Sequence, residues 1–447
     1  MVRTPWTPLM TNQFFRPSRR AVLGGLSAAS LGIAVPRTAT ARDVAAPGEA
    51  IRLRAKVELL ALLPGQPLSP VWELAAPAPL LCAGRGAALD VVLVNELAIP
   101  VVISVRGGVP ALEPLLARPV LAPGATSSLQ LSSRQAGTAF CDIRLLCDGA
   151  AAPVRLLPLI IDESEAVKVD RDEVFLIEDW RVKPDGTPLP PGIDPKDATI
   201  AFTVNGNYMP DIRVRRHERV RLRFINGCQR TVIAIKIADL NVQVMAIDGQ
   251  PAEPFLARNG AVILPPGGRT DAFIDLPSTA AASSEILLHD GATARPVARL
   301  VTSEEPPIRP GLLPPAASLP ANGLPSQLDL KGAQRVDLAL DGTDWAPPTR
   351  FAVAYAAAFQ AKPGRTMVLA LTNRAPIATV FHLHGHHFRL LDRLDDGWKP
   401  YWLDTLALEP GQTQRIAFAA ETAGRFLIES MATAWSAPRL LRWYEVK

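Results

Sequence analysis

Short apolar or alternating runs, each closed off by proline or glycine, leave this chain little room to be anything but a β protein. Leu89-Asp90-Val91-Val92-Leu93-Val94 and Val220-Arg221-Leu222-Arg223-Phe224-Ile225 are typical of the pattern, and Pro-Gly pairs at 123–124, 363–364 and 410–411 each precede a fresh run. Long stretches with helical spacing are scarce beyond the first forty or so residues. With 48% apolar residues there is material for several cores. The segment from Pro306 to Pro325 is rich in proline and has no periodicity, so it reads as a rigid linker. Cuts near residue 165 and within 303–326 divide the rest into three units of β-sandwich size: 42–165, 166–303 and 326–447, with 304–325 as linker.

Residues 1–41 read as an address. Arg16, Arg19 and Arg20 precede a small, apolar run from Ala21 to Val35, and Ala39-Thr40-Ala41 has the form of a cleavage site. Ser18-Arg19-Arg20-Ala21-Val22-Leu23 looks like a twin-arginine signal, with an ordinary secretory signal as the alternative on the same residues. The expected location is the periplasm, after export in the folded state, with no integral membrane segment once the signal is cleaved. The leader carries five arginines and no acid, so its removal takes the formal charge from +4 to −1. A chain so nearly neutral has no electrostatic case for binding nucleic acid. The densest basic run, Arg219-Val220-Arg221-Leu222-Arg223, alternates with apolar residues and reads as the solvated face of a strand. Four cysteines (82, 141, 147 and 228) show no zinc or CxxC spacing and read as buried small apolar residues, with a Cys141–Cys147 bridge as the alternative.

Histidine is concentrated in one place. Of six in the chain, four lie in His382-Leu383-His384-Gly385-His386-His387. Imidazole is the commonest neutral ligand for copper and zinc, so this density points to a metal-site ancestry. On a strand, His382, His384 and His386 share one face and His387 takes the other.

These residues sit inside Thr379-Val380-Phe381-His382-Leu383-His384-Gly385-His386-His387-Phe388, which resembles a copper-binding motif of the multicopper oxidases. Asp404-Thr405, Pro410-Gly411 and Gly424-Arg425-Phe426 resemble the run that precedes the family's last motif. Farther upstream, Asp179-Trp180, Val204-Asn205-Gly206, Arg221 to Asn226, Ile247 to Pro251 and Pro266 to Asp271 resemble its middle domain. Val94-Asn95-Glu96-Leu97, Gly108-Val109-Pro110, Pro123-Gly124 and Ala136-Gly137-Thr138 resemble its first. The resemblance implies an all-β chain of three consecutive cupredoxin-like Greek-key β-sandwich domains.

It also implies where copper ligands would stand, and most are replaced. The type 1 positions hold Thr379, Ser430, Trp435 and Leu440. Serine cannot supply the thiolate that a blue copper centre needs. The trinuclear positions hold Ser104, Arg106, Asp142, Arg144, His382, His384, Glu429 and Met431. No copper cofactor is therefore expected, or a single remnant ion on His382, His384 and His386. The resemblance is strongest to the family's copper-free, twin-arginine-exported, division-associated branch, which implies a non-catalytic scaffold with an envelope protein as partner. A copper-dependent oxidoreductase with a reduced site and a periplasmic metal-binding protein using His382–His387 are the other two readings. Buried opposite charges are tolerable only when paired. An arginine–carboxylate–histidine network is thus expected between the first and third units, with Asp142 and Arg144 on one strand face and Arg106 or Arg144 reaching Glu429.

Overall fold

The structure is a computed structural model, and it describes residues 50–107, 115–117, 120–351, 355–392, 397 and 399–447. The signal expected over 1–41 and the Gly108-Val109-Pro110 motif lie outside the described residues. Among those described, no helix is long and apolar enough to cross a membrane.

The chain is all-β, with three cupredoxin-like sandwiches in succession. In the first, a sheet ordered Ser69–Ala75, Ile51–Leu60, Ala88–Asn95, Thr126–Ser132 faces a second ordered Leu81–Gly84, Leu157–Asp162, Gly137–Asp142, Ser104–Arg106. Alternation decides what each sheet buries. In Ala88–Asn95, Val91 and Leu93 enter the first core, and Asn95 closes the strand by bonding the Ile99 and Leu121 carbonyls. The second sandwich packs a six-stranded sheet on a five-stranded one within Arg171–Thr302. The third packs a four-stranded sheet on the five-stranded order Gln360–Ala361, Arg439–Val446, Gly424–Ala432, Thr379–Leu383, Thr405–Leu408.

Further apolar clusters join the sandwiches. Phe140 and Ile160 of the first meet Val174, Leu176 and Ile225 of the second. Val102 and Leu145 of the first meet Leu427, Leu441 and Trp443 of the third. The segment 304–325 has no strand or helix and follows the second sandwich. Arg215 and Arg219 donate to the carbonyls of Pro306 and Pro314, and Leu319 is buried against Met245 and Phe273. Its Asn322 pairs with both backbone groups of Ala136 in the first sandwich and also reaches Gly249 and Gln250 in the second.

The expected solvated face on Arg219–Arg223 is overturned. The strand Arg219–Asn226 lies between two neighbours and is buried throughout. Val220, Leu222 and Phe224 point into the second core. Arg221 and Arg223, each 1% exposed, point toward the first sandwich and are met by Glu163, Asp172 and Asp271. Alternation of arginine with apolar residues has the same period whether the second face meets water or another domain. All four cysteines are buried and unbridged, and burial pushes the Cys141 thiol up to about 12.

Candidate functional site

Two strand faces build the site. In the first sandwich Ser104 stands opposite Asp142 and Arg106 opposite Phe140, so Ser104, Arg106 and Asp142 share one face. In the third, His382 stands opposite Glu429, and Met431 opposite both Val380 and Arg439. That face meets the first sandwich, and all these groups are buried there.

Glu429 is the hub. Its Oε1 accepts from Arg106 Nη2 at 2.6 Å, across the boundary, and from His384 Nε2 at 2.7 Å. Its Oε2 pairs with Arg439 of the neighbouring strand. Burial alone would raise this carboxyl, but Arg106 and Arg439 hold it well below the usual carboxylate range. The expected link from Arg106 to Glu429 is present.

Arg144 departs from expectation. The Gly137–Asp142 strand ends at Asp142, and Arg144 opens a short 3-10 turn, so the two do not share a strand face. Arg144 instead folds back on Asp142, with its backbone N–H at 2.7 Å and Nη2 at 3.0 Å, and donates to the Gly227 carbonyl at 3.0 Å. It ties the first sandwich to the second, not to the third. Arg439 was not anticipated, since it lies in no quoted motif.

The histidines separate at Gly385. This residue has φ +78°, and a Cβ there would lie 2.1 Å from the Phe426 ring. The strand alternation therefore ends at Leu383, and the expectation that His386 joins His382 and His384 fails. His386 lies among Phe418, Phe426 and Tyr444. The Tyr444 hydroxyl donates to the His384 carbonyl, so it accepts from His386 Nδ1, while His386 Nε2 accepts from the Thr422 N–H. Burial lowers His386 to about 3. His382 and His384 remain neighbours, with ring centroids 4.6 Å apart. Thr405 Oγ1 donates to Asp404, so His382 Nδ1 donates to Thr405 Oγ1. Burial and the Arg106 charge keep His382 neutral. Among the described residues, no three His, Cys, Asp or Glu side chains come together as a metal site.

His387 turns to the second sandwich and donates to the Asp248 carbonyl at 3.0 Å. There the Asp248 carboxylate accepts from the backbone of Arg269, Asp404 and Thr405, and Arg269 forks onto Asp404 at 2.6 and 3.0 Å. Burial and the Asp404 charge push the Asp248 carboxyl up, whereas Arg269 holds Asp404 low against its burial. These residues were quoted for the fold, not for a site. The charged residues Asp248, Arg269 and Asp404 inside three of the quoted motifs were the available signal.

The type 1 positions are taken up by structural bonds. Thr379, Ser430 and Leu440 face the third core: Ser430 is opposite both Phe381 and Leu440, and Thr379 lies two residues before Phe381. Thr379 Oγ1 donates to Asn373 at 3.2 Å and Ser430 Oγ to the Leu340 carbonyl at 2.7 Å. Trp435 Nε1 donates to the Pro190 carbonyl at 3.0 Å, and the Arg181 guanidinium lies 4.5 Å from its ring centroid. No thiolate and no free imidazole stands among these four. Glu429 is already engaged by two guanidiniums, of Arg106 and Arg439, and by the His384 imidazole. Neither donor set fits the copper centre that the family implies at its positions.

Multicopper oxidase family models match residues 172–282 and 324–447, together more than half of the chain. A search of curated proteins found no match. Among solved structures, a multicopper oxidase from Pseudomonas thermotolerans aligns with TM-score 0.73 at 23% identity, covering 89% of this chain and 99% of its own. Lac15 from a marine microbial metagenome gives 0.74 and 23%, covering 89% and 100%. McoA from the hyperthermophile Aquifex aeolicus gives 0.70 and 15%, covering 90% and 96%. Matches to the family in two of the sandwiches, on a fold shared over nearly the full length of these proteins, make this chain a member of the multicopper oxidase superfamily.

Proposed function

We propose that this protein is a copper-free scaffold of the periplasm, exported through the twin-arginine route, that binds an envelope protein and has no oxidase activity. The observation that carries this reading is the state of Ser430 and Trp435. By resemblance, electrons would enter copper at these positions and leave along the Glu429–Met431 segment. Here the Ser430 hydroxyl is spent on a backbone carbonyl in the core. Trp435 is sealed from solvent by the second sandwich, with Pro190 accepting from its indole and Arg181 over its ring. Neither a serine hydroxyl nor an indole ligates copper as a thiolate or an imidazole does, so the relay has no first member.

The rest of the molecule supports a platform. Three sandwiches joined by apolar clusters and buried ion pairs hold a fixed outer surface, which is what a docking partner requires. The leader supports export, and assignment to cell division rests on likeness to one branch of the family.

The test uses protein purified from the periplasm of an expressing cell. Metal analysis should find less than one copper per chain, copper-loaded protein should show no intense blue absorption, and phenols and cuprous ion should not be oxidised. Cross-linking in intact cells should then capture an envelope protein. Oxidase turnover by the pure protein would sink the reading.

A further inference from the structure

We propose that the outward face of the proline-rich segment, at Leu312, Pro314 and Pro315, is a docking ridge for an uncharged, aromatic-lined groove on the envelope partner. The inference deepens the scaffold reading above and rests on it.

The segment lies on the second sandwich with a regular turn. Its inward residues recur at every third position: Leu313 and Ala316 are half-buried, and Leu319 and Asn322 are buried. Ala316 and Leu319 pack on Met245 and Phe273. Three residues per turn is the repeat of the polyproline II helix and of the 3-10 helix. Only the first does without internal hydrogen bonds, and among the described residues the backbone from Pro315 to Pro320 makes none. The inward side is also clamped. His217 Nδ1 donates to the Arg309 carbonyl at 2.7 Å, and the Ile308 N–H to the Arg216 carbonyl at 3.1 Å. Arg219, which donates to the Pro314 carbonyl at 2.9 Å, is itself forked onto Asp275. Farther along, Arg85 of the first sandwich donates to the Ala321 carbonyl at 3.3 Å.

The opposite side is wet and apolar. Leu312 is 50% exposed, and Pro314, Pro315, Ala317 and Ser318 are exposed with it. No charged residue occurs from Pro310 to Leu328. A segment that served only to connect would need no apolar residues on its outer side. Pro314 and Pro315 have no N–H to give, so a partner strand could not pair along this stretch. What the segment offers is a stiff row of pyrrolidine and leucine faces, in place before any partner arrives. The surface that recognises such a row is a groove between aromatic rings, and the absence of charge on the ridge calls for none in the groove. Small side chains at Ala317 and Ser318 leave room for a ring to lie against the chain beside Pro315. Because the segment is already ordered, docking loses little conformational entropy.

The experiment expresses the full chain in cells that export it, with a photoreactive benzoylphenylalanine at Leu312, at Pro315 or, as a control, at Ile263, which is 58% exposed on the second sandwich. Leu312 and Pro315 should give an adduct with the same protein, and Ile263 none. The surface of that protein around the attachment point should carry Trp, Tyr or Phe. Once purified, it should bind the parent chain and bind both Leu312→Ser and the Pro314→Ala, Pro315→Ala double variant about tenfold more weakly, or worse. Their Tm should stay that of the parent, since the changed side chains are on the wet side. No adduct at Leu312 and Pro315, adducts with phospholipid in place of protein, an attachment surface without aromatic residues, or equal binding by both variants would each overturn the inference. A protein captured at Ile263 alone would overturn it too and leave the scaffold reading standing. Oxidase turnover by the pure protein would instead defeat the scaffold reading, and it is read without the cross-linker.

Discussion

Glu429 and Asp271 are both buried carboxylates that gather arginines where two sandwiches meet, yet they are built differently. At Glu429 one of the two guanidiniums comes from across the boundary: Arg106 has this carboxylate at 2.6 Å and, among the described residues, otherwise only the Asp142 carboxylate at 4.0 Å. At Asp271 the arginines belong to the same sheet, and each has a second acid. Arg221 bonds Glu163 at 2.6 Å, and Arg223 forks onto Asp172 at 2.6 and 2.7 Å. What the first sandwich sends to Asp271 itself is a hydroxyl, Thr138 Oγ1 at 2.6 Å. Equal burial therefore conceals unequal dependence. Redundant partners, more than depth, decide what the loss of a hub costs.

The largest expected effect follows from that difference. Glu429→Ala leaves Arg106 and Arg439 buried without their common acid and should cost about 3–5 kcal/mol in urea unfolding. Acid probes the same group without a substitution. Its carboxyl is held low in the folded state, so its stabilisation is complete above the ordinary glutamate range and is lost as pH falls through the folded value. The parent should lose stability below about pH 4 more steeply than Glu429→Gln. Equal slopes would show that Glu429 does not dominate this junction. Next comes Asp271→Asn, which keeps an acceptor for Thr138 and leaves both arginines their second acids. It should cost about 1–3 kcal/mol. A cost equal to that of Glu429→Ala would break the redundancy argument. Smallest is Thr138→Val, which removes the hydroxyl from Asp271 and from Arg223 and should cost about 1 kcal/mol by the same measurement.

The fold was legible because strand period, Pro-Gly turns and motif order agree along the chain. The Arg106–Glu429 pair was legible for a narrower reason: two opposite charges stood at positions that the resemblance places at one buried junction. Arg144 was misplaced because a strand face was extended past Asp142, where the backbone turns. Arg221 and Arg223 were misread because their period does not say what lies on the second face. His386 was lost at a single left-handed glycine. Arg439 could not be seen, because its meeting with Glu429 depends on the register of two adjacent strands and not on any local pattern.

Asn322 gives the connecting segment a role beyond length. Its amide bonds Ala136 as a neighbouring strand would, while reaching Gly249 and Gln250, so the path from the second sandwich to the third is pinned to the first on its way. Continuity of the polypeptide is then not what keeps the third sandwich in place. A single protease cut between Pro306 and Pro320 should yield two bands on a denaturing gel from material that still elutes as one particle. The two pieces, expressed separately, should find each other.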